Sequence, residues 1–316
     1  MKNLLPVFYT LAVLLSASIE GWCADLRKGW DTFHDGDYTE AFQEWKPFAA
    51  QGDAKAQFLL GMMYSKGAGV TQDQEEAVKW YRLASEQNYA LAQNNLGLMY
   101  YNGQGVLQDY TMAKKWLQLS AGQGIPEAQF LLGWMYYKGQ GVLRNYKEAS
   151  QWLRLAADQE LAAAQTNLGL MYLKGQGVPR NYKEAFKWFK LAAERGDGTA
   201  QTNLGLMYLK GQGVPQDHTE AANWYWFAAD QGVPSAQTKL GMMYEYGRGV
   251  LQDYVSAYMW YSLVASQGHK SAMEHRNTIV KIMTPPQIEK AQELAREWLV
   301  KHRGISITVS PLERGD

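Results

Sequence analysis

One string, Gly-x-Met-Tyr, returns every 36 residues, and that period constrains the fold more than any other feature of the chain. It stands at Gly61–Tyr64, Gly97–Tyr100, Gly133–Tyr136, Gly169–Tyr172, Gly205–Tyr208 and Gly241–Tyr244. Six residues after each of these glycines begins a second string, Gly67-Ala68-Gly69-Val70 in the first copy and Gly247-Arg248-Gly249-Val250 in the last. A third, Ala-x-x-Trp, pairs Ala77 with Trp80, Ala113 with Trp116, Ala149 with Trp152, Ala185 with Trp188, Ala221 with Trp224 and Ala257 with Trp260. A block this short cannot bury its own apolar faces. Identical blocks in unbroken register solve that by stacking, each burying its neighbour's surface.

Each block reads as two helices. In the first, Ala56, Leu60, Gly61 and Tyr64 share a stripe at helical spacing from about Ala56 to Lys66. A glycine in mid-helix is worth about 1 kcal/mol less than alanine, so its recurrence implies close approach of a neighbouring helix backbone. The Gly-x-Gly-Val turn then stops the helix, because glycine accepts positive φ. Asp73, Asp109, Asn145, Asn181, Asp217 and Asp253 form an N-cap column for the second helix, with Glu76, Glu148, Glu184 and Glu220 three residues on. This is the spacing of a capping box. The expected fold is all-α: an α/α solenoid of six 36-residue helix-turn-helix repeats over 56–271. A helix pair over 25–55 caps the N-terminal end. Helices over 272–303, with Ile288, Ala291, Leu294, Ala295, Trp298 and Leu299 at helical spacing, cap the other, and 304–316 is a loose tail.

Charge and cysteine content narrow the function. Lys+Arg and Asp+Glu both number 31, so the chain lacks the basic footprint of a nucleic-acid binder. Lys2 is the only charge before Glu20, and Leu4 to Ala17 is almost wholly apolar. That run suits the apolar core of a signal peptide over 1–24 and is short for a membrane span. Cutting after Ser18 or after Ala24 are both open, as is an uncleaved anchor, and no later segment is apolar enough to span. The expected location is periplasmic or secreted. Cys23 is the only cysteine, so no internal disulfide braces the fold.

The series Ala56, Leu60-Gly61, Tyr64, Gly67-x-Gly69-Val70, Ala77-x-x-Trp80 and Ala84, with its five later copies, resembles the Sel1-like repeat, a relative of the tetratricopeptide repeat. The resemblance covers about Ala56 to Gly268. It implies a right-handed α-solenoid that acts as an adaptor in protein complexes, with the open face of each first helix lining a concave groove. Some cysteine-rich relatives bind or hydrolyse β-lactams, but this chain lacks their paired cysteines.

The tyrosines of the first string and the Trp80 column read as core, because large aromatics dominate burial. Function is expected on the face that packing leaves open, about positions 55, 58, 59, 62, 65 and 66 of the first copy and their counterparts. One such column runs Leu59, Asn95, Leu131, Asn167, Asn203, Lys239; another runs Ser65, Tyr101, Tyr137, Leu173, Leu209, Glu245; a third runs Lys66, Asn102, Lys138, Lys174, Lys210, Tyr246. Asn95, Asn167 and Asn203 form a ladder able to pair with peptide amides of any sequence. Leu98, Tyr101, Trp134 and Tyr137 offer anchors, and Lys138, Lys174 and Lys210 favour an acidic protein or extended peptide. Alternatively these side chains are merely solvated or prop the next repeat. His34, His218, His269, His275 and His302 fall in no metal-ligand spacing. The Gly-x-Gly turns follow helices, whereas the dinucleotide fingerprint follows a strand. The reading is therefore a monomeric, non-catalytic scaffold without cofactor or metal. A secreted factor engaging a host protein is the alternative, and a β-lactam enzyme a more distant one.

Overall fold

The computed structural model describes residues 24–303. The tail, and all but the last residue of the expected signal peptide, lie outside the described residues. Sixteen α-helices in repeating pairs, and no strand, occur among the described residues, which is the all-α solenoid expected from the repeat. The chain forms two compact units that meet in sequence at Asn145 and Tyr146. The first holds α1 (Ala24–His34), α2 (Tyr38–Ala50), α3 (Ala54–Lys66), α4 (Gln74–Glu86), α5 (Ala90–Asn102), α6 (Tyr110–Gly122) and α7 (Pro126–Lys138). The second holds α8 (Tyr146–Asp158), α9 (Ala162–Lys174), α10 (Tyr182–Glu194), α11 (Gly198–Lys210), α12 (His218–Asp230), α13 (Pro234–Tyr246), α14 (Tyr254–Ala265), α15 (Lys270–Ile279), a 3-10 turn (Val280–Ile282) and α16 (Pro285–Arg303). Helices α3, α5, α7, α9, α11 and α13 are the A helices of the six repeats. The helix after each is its B helix.

The turn between A and B is a closed hydrogen-bond circuit. Gly67 takes φ 70° and donates its N–H to the Met63 carbonyl at 2.8 Å. Gly69, also at φ 70°, leaves no room for a Cβ, because the backbone of Tyr38 at the start of α2 lies against it. Asp73 then caps α4, its carboxylate accepting from the Glu76 N–H at 3.0 Å. The expected return arm of the capping box is not made. The cap residue's own N–H goes instead to the Tyr64 carbonyl, and the later repeats pair Asp109 with Tyr100, Asn181 with Tyr172, Asp217 with Tyr208 and Asp253 with Tyr244, all at 3.0 Å. The glutamate three residues on has no orphan donor left to satisfy.

The mid-helix glycine admits the close approach expected of it, and a side chain comes nearest. A Cβ on Gly61 would lie 2.7 Å from the ring of Tyr81, and one on Gly205 2.8 Å from the ring of Tyr225. The nearest atoms belong to a side chain of the same repeat's B helix, and that helix's backbone follows closely: the Ala221 carbonyl oxygen lies 3.1 Å from a Cβ on Gly205, and the Leu117 nitrogen 3.2 Å from one on Gly97.

Successive repeats are joined by a glutamine column. Gln93 is buried and donates to the Ser85 carbonyl of the preceding B helix at 3.2 Å, while accepting from Gln123 at 2.7 Å. Gln201 repeats the pattern with the Ala193 carbonyl at 3.1 Å and Gln231 at 2.8 Å. Where Met273 replaces this glutamine the regular pairs end. Helix α16 then packs on α14: Trp298 meets Trp260 at 6.3 Å and 68°, and Ala295 joins the same buried cluster. The tryptophan column is mixed rather than uniformly core. Trp116, Trp188 and Trp260 are buried, while Trp80, Trp152 and Trp224 are half-buried.

Candidate functional site

In the first repeat the middle of the face expected to be open is closed, while Lys55 and Ser65 at its edges are half-buried and Lys66 is exposed. Phe58, Leu59 and Met62 are buried in one cluster with Leu26, Phe42 and Tyr81. Leu26 of that cluster comes from α1, whereas one repeat later Asn95 is half-buried and Leu98 exposed.

The remaining candidates in the first unit lie on α5 and α7. Asn95 is half-buried against the hydroxyl of Tyr81 and accepts from Asn94 at 3.2 Å. Leu98 is 39% exposed. Tyr101 donates to Gln140 at 2.8 Å and meets the Tyr110 ring at 5.3 Å. Trp134 stacks on Tyr137 at 5.5 Å and 12°, and the Lys138 ammonium lies 4.6 Å from the Trp134 ring centre. These three form one aromatic platform with a charge fixed over it.

Four candidates lie in the second unit. Asn167 donates to the Ala163 carbonyl at 2.7 Å, and Asn203 to the Thr199 carbonyl at 2.8 Å. Each thus spends a donor on its own helix and keeps its amide oxygen for another partner. Lys174 and Lys210 are exposed at the C-terminal ends of α9 and α11, where the helix dipole favours a cation.

The end of this face holds two features that column reading missed. Between α11 and α13, Leu209, Lys239, Met242, Tyr246 and Arg248 surround a cavity of about 70 Å³ with Tyr225 in its wall. Tyr225 is wholly buried, and its hydroxyl has no hydrogen-bond partner. Burial and the Lys210 charge hold the Lys239 ammonium below its usual pKa. One repeat on, Tyr261 donates to the buried Glu245 at 2.6 Å, and the His275 imidazole lies 3.1 Å from the same carboxylate oxygen and stacks on the Tyr261 ring. Burial first, and then this carboxylate, push the Tyr261 hydroxyl far above the usual phenol range.

Two further surfaces stand out. Leu83 and Leu119 in the first unit, and Leu155, Trp226 and Phe227 in the second, are 44–47% exposed on B helices. A cavity of about 450 Å³ opens between α14, α15 and α16, lined by Tyr258, Arg276, Arg296 and Leu299. Among the described residues no cluster of three or more His, Cys, Asp or Glu is placed to hold a metal, and no helix is long and apolar enough to cross a membrane.

Comparison with known proteins accounts for the architecture. A solved Sel1 repeat protein from Oxalobacter formigenes is 33% identical, over 77% of this chain and 97% of its own, with a TM-score of 0.70. The structure of c5321, described as a protective antigen present in uropathogenic Escherichia coli strains displaying an SLR fold, is 27% identical over 93% of this chain and 88% of its own, but its TM-score is 0.48. A chitin synthase regulator of Saccharomyces cerevisiae is 39% identical over 80 residues, which is 25% of this chain and 12% of that protein's length. The Sel1 repeat model matches 54–89, 90–125, 126–161, 162–197, 198–233 and 234–269, a frame two residues ahead of the one read from the sequence strings. Six adjacent copies in constant register make this chain a member of the Sel1 repeat family.

Proposed function

We propose that the protein is a non-catalytic adaptor that acts as a monomer in the periplasm or outside the cell, and holds a partner protein or extended peptide on its A-helix faces. Sel1 repeat proteins are generally protein-interaction scaffolds, and the yeast relative is named as a regulator of an enzyme. The observation that carries the reading is the contrast between columns. Ala92, Leu96 and Met99 of α5 are buried, while Leu98 on the same helix stays exposed; on α7 the Trp134–Tyr137–Lys138 platform keeps an accessible edge. Rigid aromatic anchors beside adaptable amides are what a protein interface uses.

The reading is tested by placing a photo-reactive phenylalanine analogue at Leu98 or Leu206, and at the B-helix positions Leu119 or Leu155 as controls. One protein species cross-linked from the A-helix positions and absent from the controls supports it. Capture from the B-helix positions alone would move the interface to the exposed leucine column. Osmotic-shock fractionation tests the location: protein retained with the cytosol would end the export proposal.

A further inference from the structure

Helix B carries a tyrosine at the same place in three repeats: Tyr81, Tyr225 and Tyr261. Each packs beside the residue 14 positions on, which sits in the following A helix or, for His275, in α15. Tyr81 meets Asn95. Tyr261 faces His275 and donates to Glu245, which lies 16 positions before it. Tyr225 has Lys239 beside it, 6.0 Å from its ring centre. The position matching Glu245 is Leu209. The fifth repeat therefore keeps the donor and a cation but has no carboxylate between them. The cavity there is about 70 Å³, roughly the share of two water molecules and enough for one carboxyl group. A buried hydroxyl without a partner is unfavourable, and so is a half-buried ammonium without a counter-charge.

We propose that this niche binds the carboxylate of an aspartate or glutamate side chain presented by a partner polypeptide, in the place that Glu245 fills internally one repeat later. One carboxylate oxygen accepts from the Tyr225 hydroxyl and the other from the Lys239 ammonium. Met242 and Tyr246 cover the residues flanking the acid. Arg248, 5.4 Å from the Tyr246 ring centre, and the nearby Lys210 add charge of the sign that attracts such a segment. The proposal rests on the reading that the A-helix faces hold a partner protein.

The test uses the full chain and two blocked, fluorescently labelled peptides, one carrying Leu-Glu-Phe and the other Leu-Gln-Phe. Anisotropy titration should show the glutamate peptide binding at least about tenfold tighter, since its hydrogen bonds are charge-assisted. Tyr225→Phe and Lys239→Met should each abolish the preference while leaving the circular dichroism unchanged. Leu209→Glu supplies the missing carboxylate from within; it should raise the melting temperature and block the peptide. Carbodiimide coupling of the glutamate peptide should form an amide at Lys239, read by mass spectrometry. Equal binding of the two peptides overturns the proposal, as does a preference that survives Tyr225→Phe. Inorganic phosphate competing as well as acetate would overturn it too, by marking a generic anion site. If partner cross-linking at Leu98 and Leu206 persists while the peptide preference is absent, the niche is wrong and the adaptor reading stands. A peptide preference that needs Tyr225, without partner cross-linking, is the reverse.

Discussion

Tyr225 and Tyr261 are the same residue of the repeat in two electrostatic settings, and they should respond oppositely to the same substitution. Tyr261→Phe removes the hydroxyl that donates to the buried Glu245 at 2.6 Å. A carboxylate losing a charge-assisted bond in such a place costs about 1–3 kcal/mol, which a urea titration followed by circular dichroism would read as a lower midpoint. Tyr225→Phe removes a hydroxyl with no partner and should leave the midpoint unchanged or raise it by up to about 1 kcal/mol equivalent. Lys239→Met relieves the burial that depresses its ammonium, so the variant should melt higher; a lower melting temperature would show that the lysine is paired after all. Lys239, Glu245 and Tyr246 were all legible in the sequence as the deviant last members of their columns. Their relation to Tyr225 and Tyr261 was not, because it joins residues from helices whose spacing only the packing defines.

Among the helices, the cap column was read correctly and the box around it was not. The Asp217 carboxylate accepts from the N–H groups of Thr219 and Glu220 at 2.9 and 3.0 Å, so Asp217→Ala should cost about 1 kcal/mol. Glu220→Ala should cost a few tenths at most, because the N–H that a capping-box glutamate would take is held by the Tyr208 carbonyl. Equal losses for the two would show that the box operates after all. Spacing reveals which side chain can reach a donor but not that a carbonyl from the previous helix has reached it first. Gly205→Ala sets the better helix propensity of alanine, about 1 kcal/mol, against a Cβ 2.8 Å from the Tyr225 ring. Overpacking of this kind costs about 1–3 kcal/mol, so the clash should win and the unfolding midpoint should fall. The glycine's recurrence was visible from the sequence; that it makes room for a ring required the structure.

At the scale of the whole chain, the period announced helical pairs and their number, and the turn glycines and aromatic columns within it carried the resemblance to the family. What closes the series was less legible, since the register fades after Gly268 and only helical spacing from Ile288 to Leu299 pointed to a further helix. In the structure that helix covers the last regular pair, with Trp298 of α16 lying against Trp260 and only 9% exposed. Trp298→Ala should destabilise the second unit by about 3–5 kcal/mol, and hydrogen exchange should speed up in α14 before it does in α5.

The closed turn and the glutamine column bear on how such a chain can change over generations. Each block meets its sequence neighbours through the same positions: Gly105 lies on the backbone at Gln74 and Gln93 reaches to Ser85. Adding or deleting one complete block in the coding sequence leaves every surviving contact of this kind in place. A slip of any other length misdirects all of them at the join. The stretch from Ala164 to Pro179, identical in sequence to that from Ala200 to Pro215, fits such an exchange: gain or loss of a whole block is the change of length that keeps every such contact, as with links in a chain.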